Sequence, residues 1–260
     1  MKRKITSEII KNEKISDGIF SMWIRTDLHS EVKPGQFVGL YPVNASTLLP
    51  RPISICESDS IQGAIRLVYR VVGKGTAEFS GMKPSDKVDV LGVLGNGYDL
   101  SIANNRKDIT LMAGGIGIPP MLQLAKELSL SGHKTSIVVG YRNNETFLSE
   151  ELSEYGKVFI ATDDGSVGYK GNVIDALDAY KLTPDIIYAC GPMPMLRGIK
   201  AYSTDHNVPA YISLEERMAC GVGACLGCVC KTVNKDHHSH VNNARICTDG
   251  PVFNAAEVDI

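Results

Sequence analysis

The sequence has none of the features that direct a chain into a membrane, out of the cell or onto a nucleic acid. Nowhere do about eighteen apolar residues follow one another, as a bilayer-spanning helix would need. The basic residues at the start are not followed by an apolar run of signal-peptide length. The net charge is −2, which gives no overall attraction to nucleic acid or to an anionic membrane. We therefore predict a cytoplasmic protein with neither kind of partner.

Cysteine use argues against a disulfide framework, yet the cysteines are concentrated in one place. Their number is seven, which is odd and comes without a secretory signal, so a reducing compartment is indicated. Four of them follow the pattern Cys-x4-Cys-x2-Cys, then eighteen residues, then Cys: Cys220, Cys225, Cys228 and Cys247. This spacing is typical of a plant-type [2Fe–2S] site, in which one loop and one distant residue supply the thiolates.

The composition of the cysteine loop suits such a cluster. Gly221, Gly223 and Gly227 can adopt positive φ at little steric cost, so the backbone can turn its N–H groups toward the sulfur atoms. A zinc site is the main alternative, although zinc sites usually show two short pairs of ligands. Merely buried cysteines would rarely crowd five into so short a stretch.

The remaining candidate ligands near this loop are interpreted as structural. We expect Cys230 to be a packed thiol on the strand that leaves the loop. His237, His238 and His240 are expected in a solvated loop, because a Rieske-type site would need histidines in place of cysteines and none is missing.

Three regions follow one another along the chain. The first hundred residues alternate apolar and polar residues between turn signals, which is typical of a small β-barrel. The predicted strands are 5–11, 19–25, 36–41, 52–56, 64–72 and 87–91. Further on, strands at 109–113, 135–141, 157–162 and 186–190 alternate with helices at 121–130, 173–180 and 195–205, which predicts a parallel α/β sheet. We predict domains at 1–100, 101–213 and 214–260.

Two motifs in the barrel region suit a bound phosphate. Arg51 opens the segment Arg-Pro-Ile-Ser, and its planar fork suits a diphosphate, although a solvated charge at a strand end is equally open. Gly75 and Thr76 stand before a predicted helix at 77–80, where N–H groups and the helix dipole favour an anion. The alternative is an ordinary helix capped by Thr76.

Two glycine-containing motifs in the α/β region suit a nucleotide. Gly114, Gly115 and Gly117 follow the first strand and precede a helix, where phosphates meet N–H groups. Cys190 and Gly191 stand at the carboxyl end of the fourth strand, so we expect them beside the same crevice. Cys190 could touch a nicotinamide or be a small buried residue.

The loop after the third strand bears on the choice between NAD and NADP. Asp163 and Asp164 could bond ribose hydroxyls or could form a turn. Their negative charge disfavours a 2′-phosphate and favours NAD, whereas Arg142 after the second strand favours the opposite.

Taken in order, these motifs resemble the ferredoxin-reductase superfamily. The tail, with residues 215–228 and 247–253, is similar to that of the electron-transfer subunits of NAD-dependent bacterial dihydroorotate dehydrogenases, and the resemblance covers essentially the whole chain. It implies a ferredoxin-reductase-like FAD barrel, a parallel-sheet nicotinamide domain that takes NAD as substrate, and a small C-terminal [2Fe–2S] domain held by the four spaced cysteines. The residues implied to line FAD are Arg51, Pro52, Ile53, Ser54, Val68, Tyr69, Arg70, Gly75 and Thr76.

The resemblance also implies a function that this chain does not carry out alone. The sequence shows no acid/base constellation for a carbon substrate, so no catalytic residue is predicted here. The implied partner is an FMN-containing catalytic subunit, in a heterotetramer of two of each subunit, where dihydroorotate is oxidised to orotate for pyrimidine biosynthesis. Electrons would pass from that FMN through the cluster and FAD to NAD+.

Two rival functions remain open at this point. The flavin and iron–sulfur subunits of NADH-dependent ferredoxin:NADP+ oxidoreductases and of sulfide-reducing complexes share this layout. In some of them an acidic residue replaces one cluster cysteine. The four cysteines present here therefore disfavour this rival function. The second rival is a zinc-stabilised binding module without a catalytic role.

Overall fold

A computed structural model describes residues 2–44, 47–235 and 240–260 of the chain. His237 and His238 lie outside these described residues, so their place in a solvated loop stays a prediction, whereas His240 is exposed. In the described part of the chain, no helix is both long enough and apolar enough to cross a bilayer.

The first region is a closed barrel of six strands. Its elements are β1 (Arg3–Ser16), β2 (Ile19–Arg25), β3 (Phe37–Tyr41), β4 (Arg51–Asp59), β5 (Ala64–Arg70), α1 (Lys74–Gly81) and β6 (Lys87–Leu94). The strands pair antiparallel in the order β1-β2-β5-β4-β3-β6. Alternate residues point inward, as Ile65, Leu67 and Tyr69 of β5 do, and together they form the barrel core. The predicted barrel is confirmed.

Three strands and the helix of this region extend beyond their predicted bounds; the sixth strand, for example, runs to Leu94 rather than to residue 91. The first strand runs to Ser16 because it forms a hairpin with β2. The fourth continues through the polar residues Glu57 to Asp59, which pair with β5 and lie outside the predicted strand 52–56. The helix starts at Lys74 rather than residue 77, because Gly73 already serves as its N-cap.

The second region is a parallel sheet with helices on both faces, to which the tail adds one antiparallel edge strand. Its elements are β7 (Ile109–Gly114), α2 (Pro119–Leu130), β8 (Thr135–Tyr141), α3 (Ser149–Ser153), β9 (Lys157–Thr162), β10 (Tyr169–Lys170), α4 (Val173–Ala179), β11 (Ile186–Cys190), α5 (Met193–His206) and β12 (Ala210–Ser213). The sheet order is β10-β9-β8-β7-β11-β12, with all pairs parallel. The predicted parallel α/β fold is confirmed.

The central strand β7 explains the two layers of helices. Its residues Leu111 and Ala113 pack into the core that contains α2 and α3, whereas Met112 packs into the core that contains α4 and α5. A strand buried on both faces reads as a continuous apolar run, which is why it was visible in the sequence.

The cysteine-rich tail is attached to this sheet. Its strands are β13 (Val229–Lys231), β14 (Asn243–Arg245) and β15 (Val252–Asn254). The first two form a separate antiparallel ribbon, while β15 pairs antiparallel with β12 and becomes the edge of the large sheet. The tail therefore shares a hydrogen-bonded sheet with the preceding region.

A largely buried ion cluster joins the barrel to the α/β region. The Arg66 side chain on β5 is 9 % exposed and forms an ion pair with Glu151 on α3. It also lies 3.8 Å from Glu57 on β4, which in turn pairs with Lys126 on α2 at 2.8 Å. Buried charges are tolerated only with partners, so this alternation of charges specifies how the two regions meet.

We expect Arg66→Met to lower the free energy of unfolding by about 3 kcal/mol, since it removes one partner of a buried ion pair. This value is the lower end of the range for such a loss, because Lys126 still neutralises Glu57 in the variant. The midpoint of thermal unfolding should fall by about 6 °C or more. Lys14→Met is the control, since the Lys14–Asp17 pair has side chains that are 55 % and 84 % exposed. Equal unfolding temperatures for the two variants would contradict the structural role of Arg66.

Candidate functional site

A cleft of about 570 Å³ opens between the barrel and the segment that follows β12. Its barrel wall comes from the first half of β4, the end of β5 and the start of α1. All the predicted flavin residues except Gly75 line it: Arg51, Pro52, Ile53, Ser54, Val68, Tyr69, Arg70 and Thr76. The strands bring them together because β4 and β5 are antiparallel neighbours.

Gly75 shapes the cleft without lining it. A Cβ atom at this position would lie 2.5 Å from Nε of Arg51, so only glycine lets this guanidinium rest on the start of α1. Among the described residues no carboxylate pairs with Arg51, which therefore keeps its charge available to an anion. Arg51 is half-buried against the start of α1, which favours the anion site over the solvated strand-end charge.

The start of α1 supplies N–H groups beside Arg51. The first helical bond runs from Ala77 N to Gly73 O, so the N–H groups of Lys74, Gly75 and Thr76 precede the ladder. The Thr76 hydroxyl accepts from Val72 N at 2.9 Å and from Gly73 N at 3.1 Å. Thr76 thus closes the turn itself, and the N–H groups with Arg51 fit the diphosphate of a dinucleotide.

The opposite wall of the cleft was not predicted from the sequence. It consists of Ile116, Pro251 and the run Ser213, Leu214, Glu215, Glu216, Arg217 and Met218. Glu215 meets solvent through the cleft, yet burial by the surrounding protein raises the pKa of its carboxyl. The position of this run directly before the first cluster cysteine was the available signal.

The predicted nucleotide glycines meet at the carboxyl ends of β7 and β11, which are neighbours in the sheet. A Cβ on Gly117 would lie 2.3 Å from Cys190 O and 2.6 Å from Gly191 N. A Cβ on Gly114 would lie 2.9 Å from Sδ of Met195. The two loops therefore touch through their backbones, and Gly115, at φ +54°, turns the chain between them.

The thiol of Cys190 is enclosed. The residue is 1 % exposed, and burial raises the pKa of its thiol, with the charge of Glu215 acting in the same direction. Of the two interpretations given above for Cys190, the small buried residue describes its side chain, and its carbonyl faces the glycine loop.

The acidic loop after β9 lies at the same sheet edge. Asp163 N donates to Tyr141 O and Asp164 N donates to Arg142 O, which brings the loops after β8 and β9 together. The Asp164 carboxylate accepts from Ser166 N at 2.9 Å and from Ser166 Oγ at 2.6 Å. Asp164 is thus used within its turn, whereas the exposed carboxylate of Asp163 has no hydrogen bond to a described residue.

The four spaced cysteines form two pairs. Cys220 lies against Cys225 at the surface, while Cys228 contacts Cys247 in the interior, where the two are 3 % and 1 % exposed. Within the described ranges no three Cys, His, Asp or Glu side chains converge on one point that could hold a metal ion. A [2Fe–2S] cluster needs two thiolates on each of two irons, and this two-plus-two arrangement fits it.

Backbone N–H groups point at the sulfur atoms of the outer pair. Val222 N and Cys225 N each lie 3.4 Å from Sγ of Cys220. Burial opposes ionisation of Cys220, but these and one further N–H, together with the Cys225 thiol, lower its pKa to about 6. Burial and the contact with Cys228 raise the pKa of Cys247 to about 11.

The glycines of this loop differ in part from expectation. Gly221 and Gly223 have positive φ, at +66° and +85°. Gly227 does not have a positive φ, although its N–H donates to Sγ of Cys225 at 3.4 Å. The neighbouring residue Leu226 has a positive φ instead, at +57°. Cys230 is half-buried on β13 and packs against the core.

We expect Gly75→Ala to reduce flavin content, since its Cβ would push the end of the Arg51 side chain away from the N–H groups at the start of α1. The measurement is the flavin absorbance per chain after dialysis. Gly81→Ala in the same helix is the matched control, because no atom lies within 4 Å of the added Cβ and alanine favours the helix. Equal flavin retention by the two variants would contradict the predicted diphosphate site.

Two family models match parts of the chain. Residues 215–259 match the family model described as the iron–sulfur cluster binding domain of dihydroorotate dehydrogenase B. Residues 111–201 match the oxidoreductase NAD-binding domain.

Solved structures support the same architecture. A chain of the NADH-dependent reduced ferredoxin-NADP oxidoreductase, studied for flavin-based electron bifurcation, is similar with a TM-score of 0.86 and 31 % identity over 97 % of this chain and 89 % of that chain. A ferredoxin NADP+ reductase from Neisseria gonorrhoeae with bound FAD and NADP is similar in fold alone, with a TM-score of 0.68 and 16 % identity over 82 % of this chain and 94 % of that chain. The predicted ferredoxin-reductase-like architecture is confirmed.

Curated relatives match the chain over nearly its whole length. The dihydroorotate dehydrogenase B (NAD(+)) electron transfer subunit of Listeria innocua is 41 % identical over 97 % of this chain and 98 % of its own. The subunit of the same name from Bacillus caldolyticus is 43 % identical over 94 % of each chain. The chain belongs to the family of dihydroorotate dehydrogenase B (NAD(+)) electron transfer subunits.

Proposed function

We propose that this chain is the electron-transfer subunit of an NAD-dependent dihydroorotate dehydrogenase. In this role it passes to NAD+ the electrons that are released when a partner subunit oxidises dihydroorotate to orotate in pyrimidine biosynthesis. It holds FAD in the cleft and a [2Fe–2S] cluster in the cysteine loop. FAD supplies hydride exchange with NAD and single-electron exchange with the cluster, which itself carries one electron at a time.

The observation that carries this proposal is the continuity of the cleft wall with the cysteine loop. Met218 lines the cleft, and Cys220 follows two residues later. The loop returns to the same place, because Pro251 also lines the cleft and lies four residues after Cys247. One short segment thus serves both cofactor sites, which keeps the two redox groups close.

The residues of the chain have binding and orienting roles. Arg51 and the N–H groups at the start of α1 would hold the FAD diphosphate. The glycines 114, 115 and 117, with Cys190 and Gly191, would receive NAD at the carboxyl ends of β7 and β11, where ligands bind in open α/β sheets. Cys220 with Cys225, and Cys228 with Cys247, would each hold one iron. No residue is assigned to proton transfer on a carbon substrate.

The surface around the outer cysteines suits a protein partner. Val222 is 40 % exposed and Leu226 is 61 % exposed, and both flank the exposed Cys225. Apolar side chains at such a place favour burial against another chain. The proposed occupant is the FMN-containing catalytic subunit, in an assembly of two of each chain. A cytoplasmic location belongs to the same proposal, since a reducing environment keeps the thiols available for iron.

Neither rival function is favoured. The ferredoxin:NADP+ oxidoreductase chain is 31 % identical to this one, against 41 % for the Listeria subunit. The zinc-stabilised module is disfavoured because residues 215–259 match a family model described as an iron–sulfur cluster binding domain.

The first experiment is the substitution of Cys220, Cys225 and Cys228 together by serine in the complex with the catalytic subunit. Reduction of NAD+ by dihydroorotate should fall to the background of the assay, because the cluster is lost. Reduction of bound FAD by NADH should persist, since the cleft and the glycine loops are unchanged. Absorbance changes at the flavin bands and NADH formation are the two readouts.

Cys230→Ser is the control for this substitution, because Cys230 lies in the same tail but outside the two pairs. It should retain iron, sulfide and dihydroorotate-dependent NAD+ reduction. If the triple variant still reduced NAD+ with dihydroorotate at the wild-type rate, the proposed route would be wrong.

We also expect Asp163 to select NAD over NADP. Its carboxylate is exposed and makes no hydrogen bond to a described residue, so it can accept from ribose hydroxyls and repel a 2′-phosphate. Asp163→Asn should lower the ratio of kcat/KM for NADH to that for NADPH by about tenfold or more, as expected for one charge-assisted hydrogen bond.

Asp164→Asn provides the comparison, because that carboxylate is already bonded to Ser166. Its effect on the ratio should be smaller. An unchanged ratio in Asp163→Asn would show that selection lies elsewhere, with Arg142 the next residue to test.

A further inference from the structure

We propose that Arg245 is a positioning residue for the cluster, which ties the turn carrying Cys247 to the loop carrying the other three cysteines and biases the reduction potential through its charge. This inference rests on the proposed function, because it assumes that the cysteines hold [2Fe–2S].

The turn around Cys247 closes on the backbone of Arg245. The Arg245 carbonyl accepts from Thr248 N at 3.1 Å, from Asp249 N at 2.7 Å and from Gly250 N at 3.3 Å. The Arg245 N–H donates to Oδ2 of Asp249 at 2.8 Å. Each of the three residues after Cys247 is therefore hydrogen-bonded to Arg245, the last residue of β14.

The Arg245 side chain then reaches across to the cysteine loop. Its Nε and Nη2 donate to the two oxygens of Asp249, each at 3.2 Å, which fixes the plane of the guanidinium. The remaining nitrogen, Nη1, lies 3.5 Å from the carbonyl oxygen of Gly223. One arginine therefore bridges the turn of the fourth cysteine and the loop of the first three.

Gly223 makes this bridge effective. Its carbonyl oxygen lies 3.5 Å from Nη1 of Arg245. A Cβ at Gly223 would lie 2.8 Å from Cγ2 of Thr248, so the two segments approach more closely than a side chain would allow. Arg245 thus acts on Cys247 through the turn backbone and by holding Gly223 against Thr248, the residue after Cys247.

Within the Arg245–Asp249 pair, the guanidinium and the carboxylate lie differently with respect to the cysteine loop. Asp249 engages the Nε side of the guanidinium, whereas Nη1 faces the loop. Both side chains are only partly exposed, at 39 % and 38 %, so solvent does not fully screen them. Reduction adds negative charge to a site of four thiolates, so the arginine favours the reduced form and the aspartate opposes it.

The test compares Arg245→Met, Arg245→Lys and Asp249→Asn in the full chain. For each we would measure iron and acid-labile sulfide per chain, the rate of cluster loss to a chelator, and the cluster midpoint potential by redox titration followed by electron paramagnetic resonance. FAD content and FAD reduction by NADH report whether the other sites are intact.

Opposite signs are the expected result. Arg245→Met should lose its cluster several-fold faster than the wild type and shift the potential to more negative values. Asp249→Asn should shift it to more positive values. Arg245→Lys keeps the charge but not the fork, so it should stay near the wild-type potential and still lose the cluster faster.

Two outcomes would overturn the inference. Shifts of the same sign in Arg245→Met and Asp249→Asn would exclude the charge effect, and wild-type cluster retention in Arg245→Met would exclude the positioning role. A wild-type chain that contains flavin but neither iron nor sulfide would instead overturn the proposed cluster, and this inference with it.

Discussion

The pairing of β12 with β15 is the constraint on which the redox half of this protein depends. The chain leaves the parallel sheet at Ser213 and returns at Val252, and these two residues stand opposite each other in the ladder. Leu214 N also donates to Pro251 O at 2.9 Å. Residues 214–251 are therefore a closed excursion whose two ends are fixed at one edge of the sheet, and the cleft wall and the cysteine loop both belong to it.

The barrel holds the same excursion from its other side. Asn96, just after β6, donates through its side chain to Thr248 O and Asp249 O at 3.1 and 3.2 Å, and through its backbone to Gly250 O. Leu94 at the end of β6 packs closely against Gly221, because a Cβ on Gly221 would lie 3.2 Å from Cδ1 of Leu94. The three regions of the chain thus meet around the turn that carries Cys247, which gives the cleft proposed for FAD and the cysteine loop a common support.

The sequence predicted those features that depend on residues close together in the chain. Alternating apolar residues such as Ile65 and Leu67 revealed the barrel strands, and the cysteine spacing identified all four members of the two pairs. It did not predict features that depend on pairing between strands far apart in the chain. The wall from Ser213 to Met218 owes its place to the return of β15, and a strand of three residues leaves no periodic signal.

The same distinction explains the smaller errors. Composition suggested that each glycine of the cysteine loop would take positive φ, but the packing of the loop gives that conformation to Leu226 instead of Gly227. The sequence analysis did not identify Arg66 as a structural residue, because its partner Glu151 lies far away in sequence. Long-range partners of single charged residues cannot be read from one sequence.

The strand exchange between sheet and tail has a consequence for how this protein can be divided. The cysteine-rich tail resembles a detachable module in sequence, yet its removal would strip β12 of its neighbour β15 and leave a row of unpaired N–H and C=O groups at a sheet edge. Such an edge is a template for intermolecular pairing. The iron–sulfur tail therefore also protects the nucleotide-binding sheet from self-association, so losing the tail would cost solubility as well as electron transfer.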